Sequence, residues 1–245
     1  MRIMKNLISS LIVSGTIMVV TIMLCLGVTA YADPDTGCSE EISRGMEVSN
    51  PELELSEMAG ITPKGAYLKI FASLSVGDTT RLWSDIVWLK DNTELRDVTV
   101  FINSGGGSAF DGIALANWIS YAQDHWGFTF HGQASGIIAS AAIPVFASMR
   151  TRMAMPGTIF MVHEAALWKW PGRETTSDIR AQGELMTLLR DTYLNILVAN
   201  TKLTFEEWGD KEGRTTWFSV KEATEWGLIT ETGEDMEERG RYDGE

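Results

Sequence analysis

A short run of β-branched and aromatic residues, Val98 to Ile102, stops at three successive glycines, Gly105-Gly106-Gly107, and a stretch with helical spacing follows. Strand and helix patterns alternate on both sides of that turn. Leu68, Ile70, Ala72 and Leu74 recur at every second residue, as a half-buried strand requires, and Leu82, Ile86 and Leu89 then recur at helical spacing. Phe110, Ile113, Ala114, Trp118 and Tyr121 mark one face of a helix beyond the glycines, while Phe128 to Phe130 and Ile159 to Val162 read as further strands. Leu185, Leu189, Tyr193 and Ile196 stripe a helix that Ser177 is placed to cap; Ser219 and Glu222 form a capping box for the last helix, which Gly227 ends. Repeated units of this kind imply an α/β fold with a mostly parallel sheet, here a single domain over residues 65–230. No internal sequence repeat is seen.

The flanks read differently. Arg2 and Lys5 precede an uncharged stretch, Asn6 to Ala32, that closes in Ala30-Tyr31-Ala32. A basic start, an apolar middle and an Ala-x-Ala finish are the parts of a secretory signal peptide, so residues 1–32 read as a leader cleaved after Ala32. An uncleaved membrane anchor is the alternative, because the apolar part approaches the ~20 residues that a span needs. Either way the remainder is expected outside the cytoplasm, periplasmic or secreted. Residues 33–64 are acidic and rich in Ser, Pro and Gly and read as a mobile arm; 231–245 read as an acidic, disordered tail. Cys25 falls in the leader, which leaves Cys38 alone and excludes an intramolecular disulfide in the processed chain.

Composition is that of a globular protein, 44% apolar and 22% charged, but the formal charge is −13 and no basic cluster offsets it. Nucleic acid and anionic lipid are therefore poor partners. His125, His131 and His163 lack zinc-ligand spacing, and no dinucleotide or phosphate fingerprint follows the glycines, so neither a metal nor a cofactor is expected.

Ser140 stands among small apolar residues in Gly136-Ile137-Ile138-Ala139-Ser140-Ala141-Ala142, an odd place for a hydroxyl unless a reactant must reach it. Downstream, His163 closes the apolar run Ile159-Phe160-Met161-Val162. An unassisted serine is a feeble nucleophile at neutral pH, and an imidazole is suited to take its proton. Glycines adopt positive φ, let a carbonyl come close and offer bare amides where negative charge develops. A nucleophile, a base and an anion-binding turn make a serine hydrolase the reading to test.

From about Tyr67 to Ile229 the order of these pieces resembles the Clp protease proteolytic subunit and its relatives in the ClpP/crotonase superfamily. The glycine-rich turn after a strand, the serine on a Gly-x-Ala-x-Ser-like turn, the Met-x-His strand, the long helix and the segment Ser219-Val220-Lys221-Glu222-Ala223 through Gly227-Leu228-Ile229 occur in the family's order. The resemblance implies a spiral of ββα units and an oxyanion hole made by the amide of Gly106 or Gly107 with that of Ala141. It also implies a homo-oligomer, ring-like and with enclosed sites, built through a handle helix over residues 177–200. Trp168 and Trp170 lie in the region that resembles the subunit-contact and substrate-edge segment. Ser135, after Gly132-Gln133-Ala134, and Ser148 compete with Ser140 for the nucleophile's role. Ser140 is preferred because its distance to His163 and Pro156 is closer to the family's.

The third member of the triad departs from the pattern. Thr215 occupies the position of the family's aspartate, and its hydroxyl would orient the imidazole without stabilising an imidazolium. Asp210 is the alternative, and Glu212, also close by, could substitute likewise if the loop is arranged differently, although both carboxylates read as surface groups. The function expected is ATP-independent hydrolysis of unfolded polypeptides or peptides through an acyl-enzyme. Its competitors are a catalytically inactive peptide-binding module and a crotonase-type acyl-coenzyme A enzyme. Secretion disfavours the last, since coenzyme A is cytoplasmic.

Overall fold

Alternation and helical spacing become seven strands and six helices among the residues that the computed structural model describes, 54–63, 65–166 and 173–231. The expected leader, most of the expected arm, Trp168, Trp170 and the tail from 232 onward lie outside the described residues. In chain order the elements are β1 (Ala59–Thr62), β2 (Gly65–Ile70), α1 (Val76–Asn92), β3 (Asp97–Ser104), α2 (Ala109–Trp126), β4 (Thr129–Ala139) and α3 (Ala142–Ala147). There follow β5 (Thr151–Ala154), β6 (Ile159–Val162), α4 (Thr176–Asn200), α5 (Phe205–Gly213), β7 (Thr216–Ser219) and α6 (Val220–Glu225).

One sheet runs β1-β2-β3-β4-β6-β7, with β5 also beside β4. Its middle is parallel and its two edge pairs, β1 with β2 and β6 with β7, are antiparallel. Period-2 burial places Val98, Val100 and Ile102 of β3 in the core together with Ala66, Leu68 and Ile70 of β2, at no more than 4% exposure each. The strand pattern at 68–74 is shorter in space than in sequence. The chain leaves the sheet after Ile70, Phe71 is 58% exposed, and Leu74 returns as a single bridge to Gly107.

β4 positions the site. Its first half, His131 to Ala134, pairs with β5, and its last residues, Ile137 to Ala139, pair with β6. Between these halves the register against β3 slips, Ile102 facing Ala134 but Ser104 facing Ile138, a bulge at Ser135 and Gly136. The Asn103 side chain caps it by accepting from the Ile137 amide at 3.0 Å, and Gly136 takes a φ of 66° where a Cβ would stand 2.7 Å from Asn103 Oδ1. The extra residues let β4 change neighbours and carry its end to the β6 side.

Three expectations shift. β1 belongs to the sheet although it lies within the stretch 33–64 that read as an arm: Ser56 donates its amide and hydroxyl to the buried Asp85 carboxylate at 2.8 and 2.6 Å, fastening the segment to α1. On α2 the buried face is Gly112, Leu115, Ala116, Ile119 and Ala122, not the aromatic stripe, because small residues permit the close approach that this helix makes to α3. The aromatics are left at its rim, Phe110 and Tyr121 being 55% and 41% exposed and Trp118 stacking on Trp83. Finally, α4 is capped by Thr175, in a reciprocal box with Asp178, rather than by Ser177.

Candidate active site

The parallel pairing of β4 with β6 sets Ala139 opposite Met161, so the residues that follow these two strands emerge together. Ser140 follows Ala139 at φ +55°, in the left-handed region that residues with a Cβ seldom occupy. Its backbone is held on both sides. The Ser140 amide donates to the Met161 carbonyl at 2.9 Å, and its carbonyl accepts from the Ile143 amide at 3.0 Å and the Tyr193 hydroxyl at 3.3 Å. These bonds stabilise a turn that otherwise costs on the order of 1–3 kcal/mol. The turn aims the side chain at His163: Ser140 Oγ and His163 Nε2 are 2.8 Å apart. For Nε2 to accept the hydroxyl proton, the neutral ring must carry its own on Nδ1.

Pro144 sits in the first turn of α3 after the N-cap Ala141, where a missing amide costs nothing, since the Ser140 carbonyl is already engaged. Neither rival serine reaches the imidazole. Ser135 lies in the β4 bulge, and the Ser148 hydroxyl bonds the Val145 carbonyl at 2.8 Å in the buried end of α3.

The glycine turn is bound on one side and open on the other. Gly106 donates its amide to Ser104 Oγ at 3.2 Å and accepts from the Leu74 amide at 2.7 Å; Ser108 donates to the Leu74 carbonyl at 3.0 Å. The amides of Gly107 and Ala141 have no partner among the described residues. The two turns press together: a Cβ on Gly106 would lie 2.6 Å from the Ala139 carbonyl and 2.9 Å from the Ala141 nitrogen, and one on Gly112 would collide with the Ala141 carbonyl.

Among the described residues, neither Thr215 nor Asp210 makes a hydrogen bond to the imidazole. Thr215 is exposed, at φ +53°, with its amide on the Glu212 carbonyl at 3.1 Å. Asp210 is exposed and paired with Arg214. Glu212, by contrast, is no surface group: its side chain is 3% exposed, and it lines a cleft with Ser140, His163, Leu189, Arg190 and Tyr193. Arg190 Nε holds its Oε2 at 2.9 Å. Burial pushes the Glu212 carboxyl above its ordinary value; the bond and charge of Arg190 oppose this, Glu164 adds to it and His163 opposes it. Burial and then the Glu212 charge likewise raise the Tyr193 phenol, so its hydroxyl stays protonated as a donor.

Sequence reasoning missed two contributors, Tyr193, read only as part of a helix stripe, and Gly112, and it read Glu212 as a surface carboxylate. A signal for the burial of Glu212 existed, since it follows Trp208 at helical spacing and the two are the buried residues of α5.

Against known proteins, the family model described as Clp protease matches residues 66–236. The chain is similar to the ATP-dependent Clp protease proteolytic subunit 2 of Corynebacterium efficiens, with 26% identity over 165 residues, 65% of this chain and 79% of that one. It is as similar to the ATP-dependent Clp protease proteolytic subunit of Bacteroides thetaiotaomicron, 26% over 165 residues, 66% of this chain and 72% of that one. Among solved structures, a ClpP1 mutant from Listeria monocytogenes matches with a TM-score of 0.59 and 21% identity, over 68% of this chain and 90% of that one. The likeness is to a mixed α/β single domain, as the alternating strand and helix patterns led one to expect. With a match over most of the length and a sheet of the same class, the chain belongs to the Clp protease family, a family of peptidases.

Proposed function

We propose that the protein is a serine endopeptidase that works outside the cytoplasm and without ATP, hydrolysing unfolded polypeptides or peptides. The observation that carries this reading is the 2.8 Å approach of Ser140 Oγ to His163 Nε2, beside two unpartnered amides. In the reaction, Nε2 takes the Ser140 proton as Oγ adds to the scissile carbonyl, and the carbonyl oxygen gains the charge. The Gly107 and Ala141 amides are the proposed donors to that oxygen; Gly106 is the weaker candidate because its amide already serves Ser104. The His163 proton then leaves with the amine, and water repeats the cycle on the acyl-enzyme.

The extracytoplasmic setting rests on the leader pattern of residues 1–32, and independence from ATP follows from that setting. Assembly into a homo-oligomer is supported by Leu185 and Leu188 on α4, 40% and 66% exposed and three residues apart, so that they form an apolar patch on one side of the helix. A catalytically inactive binding module is the second reading, favoured by the neutral, exposed Thr215 where the family has a carboxylate.

A fluorophosphonate probe separates the two. The expected result is covalent labelling of the wild type and of Ser135→Ala, lost in Ser140→Ala and reduced at least about 100-fold in His163→Ala. No labelling of the wild type would establish the binding module, and loss in Ser135→Ala alone would overturn the assignment of the nucleophile.

A further inference from the structure

A family member without the family's aspartate either lacks an acidic partner for its histidine or draws one from elsewhere in the fold. We propose that Glu212 supplies it: a positioning residue whose carboxylate, held by Arg190 in the cleft of Ser140 and His163, stabilises the imidazolium that forms as Ser140 gives up its proton. This deepens the serine-peptidase reading and takes its meaning from it.

The placement follows from topology. β7 pairs with β6 so that Thr216 faces Val162, the residue before His163. The turn at Arg214 and Thr215 that joins α5 to β7 therefore holds the last turn of α5 against the end of β6. Glu212 is the α5 side chain that turns inward there. Leaving a carboxylate 3% exposed is expensive, and a structural clamp between α4 and α5 would be served more cheaply by an apolar pair.

Nor does Arg190 consume the group. Its Nε engages Oε2, and Oε1 has no partner among the described residues. Arg190 is 36% exposed at its side chain, so its own charge remains solvated while its bond and charge oppose the effect of burial on the glutamate. The charged and titratable groups around the imidazole are then Glu212 from α5, Arg190 and Tyr193 from α4, and Glu164 beside it in the chain. Because Arg190 offsets part of the glutamate's charge, the effect on the imidazolium is smaller than a lone aspartate would give, and the enzyme is slower than one with a full triad.

The experiment reads the imidazole itself, on the full chain labelled at histidine Cε1 with 13C. Three histidines give three signals, His163 being identified by its loss in His163→Gln. In Glu212→Gln, which preserves a hydrogen bond to Arg190, the His163 titration midpoint should fall by about 0.5–1 pH unit, with His125 and His131 unmoved. The acid limb of the fluorophosphonate labelling rate should move with it, and labelling at neutral pH should slow about 10-fold. If this variant does not fold, as collapse of the His125 and His131 signals would show, Glu212→Met carries the same expectation. A His163 midpoint within about 0.2 unit of wild type in the folded variant assigns Glu212 to a structural clamp and ends the proposal. The two hypotheses fail separately: a wild type that never labels ends the peptidase reading, while the midpoint shift still decides whether Glu212 is coupled to His163.

Discussion

Ser140 combines a strained backbone with a reactive side chain, and the strain is what points it. A serine at the end of a straight strand would face the neighbouring strand's side chains; at φ +55° it leaves the sheet and meets the imidazole beyond β6. The glycine turn tolerates no side chain behind it. Gly106→Ala places a methyl 2.7 Å from Ser140 Cβ at a φ of 95°, so we expect labelling by the fluorophosphonate to fall at least about 100-fold, with a lower melting temperature by calorimetry. Tyr193→Phe removes one donor from the Ser140 carbonyl and should cost about 1 kcal/mol in a urea titration. Glu212 carries a pH signature of its own. Its folded value is raised, so its contribution to stability is full below the unfolded value and is lost as pH rises through the folded one. The stability of Glu212→Gln relative to wild type should therefore improve as pH rises above the ordinary carboxylate range in parallel urea titrations, the reverse of what a stabilising ion pair would show.

At the level of elements, two polar side chains do what apolar packing cannot. Asn103 caps the bulge that lets β4 change partners, and Arg152 ties three helix ends together. The Arg152 guanidinium, 5% exposed as a residue, donates to the carbonyls of Ala147 at the end of α3 and Met149 just beyond it, Asn200 at the end of α4, and Gly227 and Leu228 after α6, at 2.6 to 3.1 Å. Burial lowers its pKa to about 10, so it remains a cation at neutral pH, facing helix C-termini where a positive charge is favourable. Arg152→Met strands five acceptors and should destabilise the protein by about 3–5 kcal/mol in urea, more than most single substitutions. The same scale explains which elements were legible. α1, β3, β6 and the capping box of α6 follow their local patterns, since each is decided by its own periodicity or cap. β1 and the full length of β4 were not, because a strand next to Gly and Pro, or one interrupted by a bulge, becomes a strand only by pairing with a distant one.

At the scale of the whole molecule, the exposed apolar residues of α4 predict association. Leu188→Asp should shift the protein to a smaller species in sedimentation velocity, with Leu185→Asp adding to the effect, whereas an unchanged mass would remove this side of α4 from the proposed interface. The order of strand, glycine turn, serine, histidine strand and capped helix was decided by residue type and spacing alone, because backbone propensity, caps and bare amides are local properties. Those local properties were enough for the α/β class and for the family. The partner of His163 was not among them. Thr215 and Asp210 stand at the family's position and beside it, and only the turn into β7 and the inward face of α5 decide that the carboxylate nearest the cleft is Glu212. Burial and charge proximity are sums over residues distant in the chain, so they exist only once the sheet has closed around them.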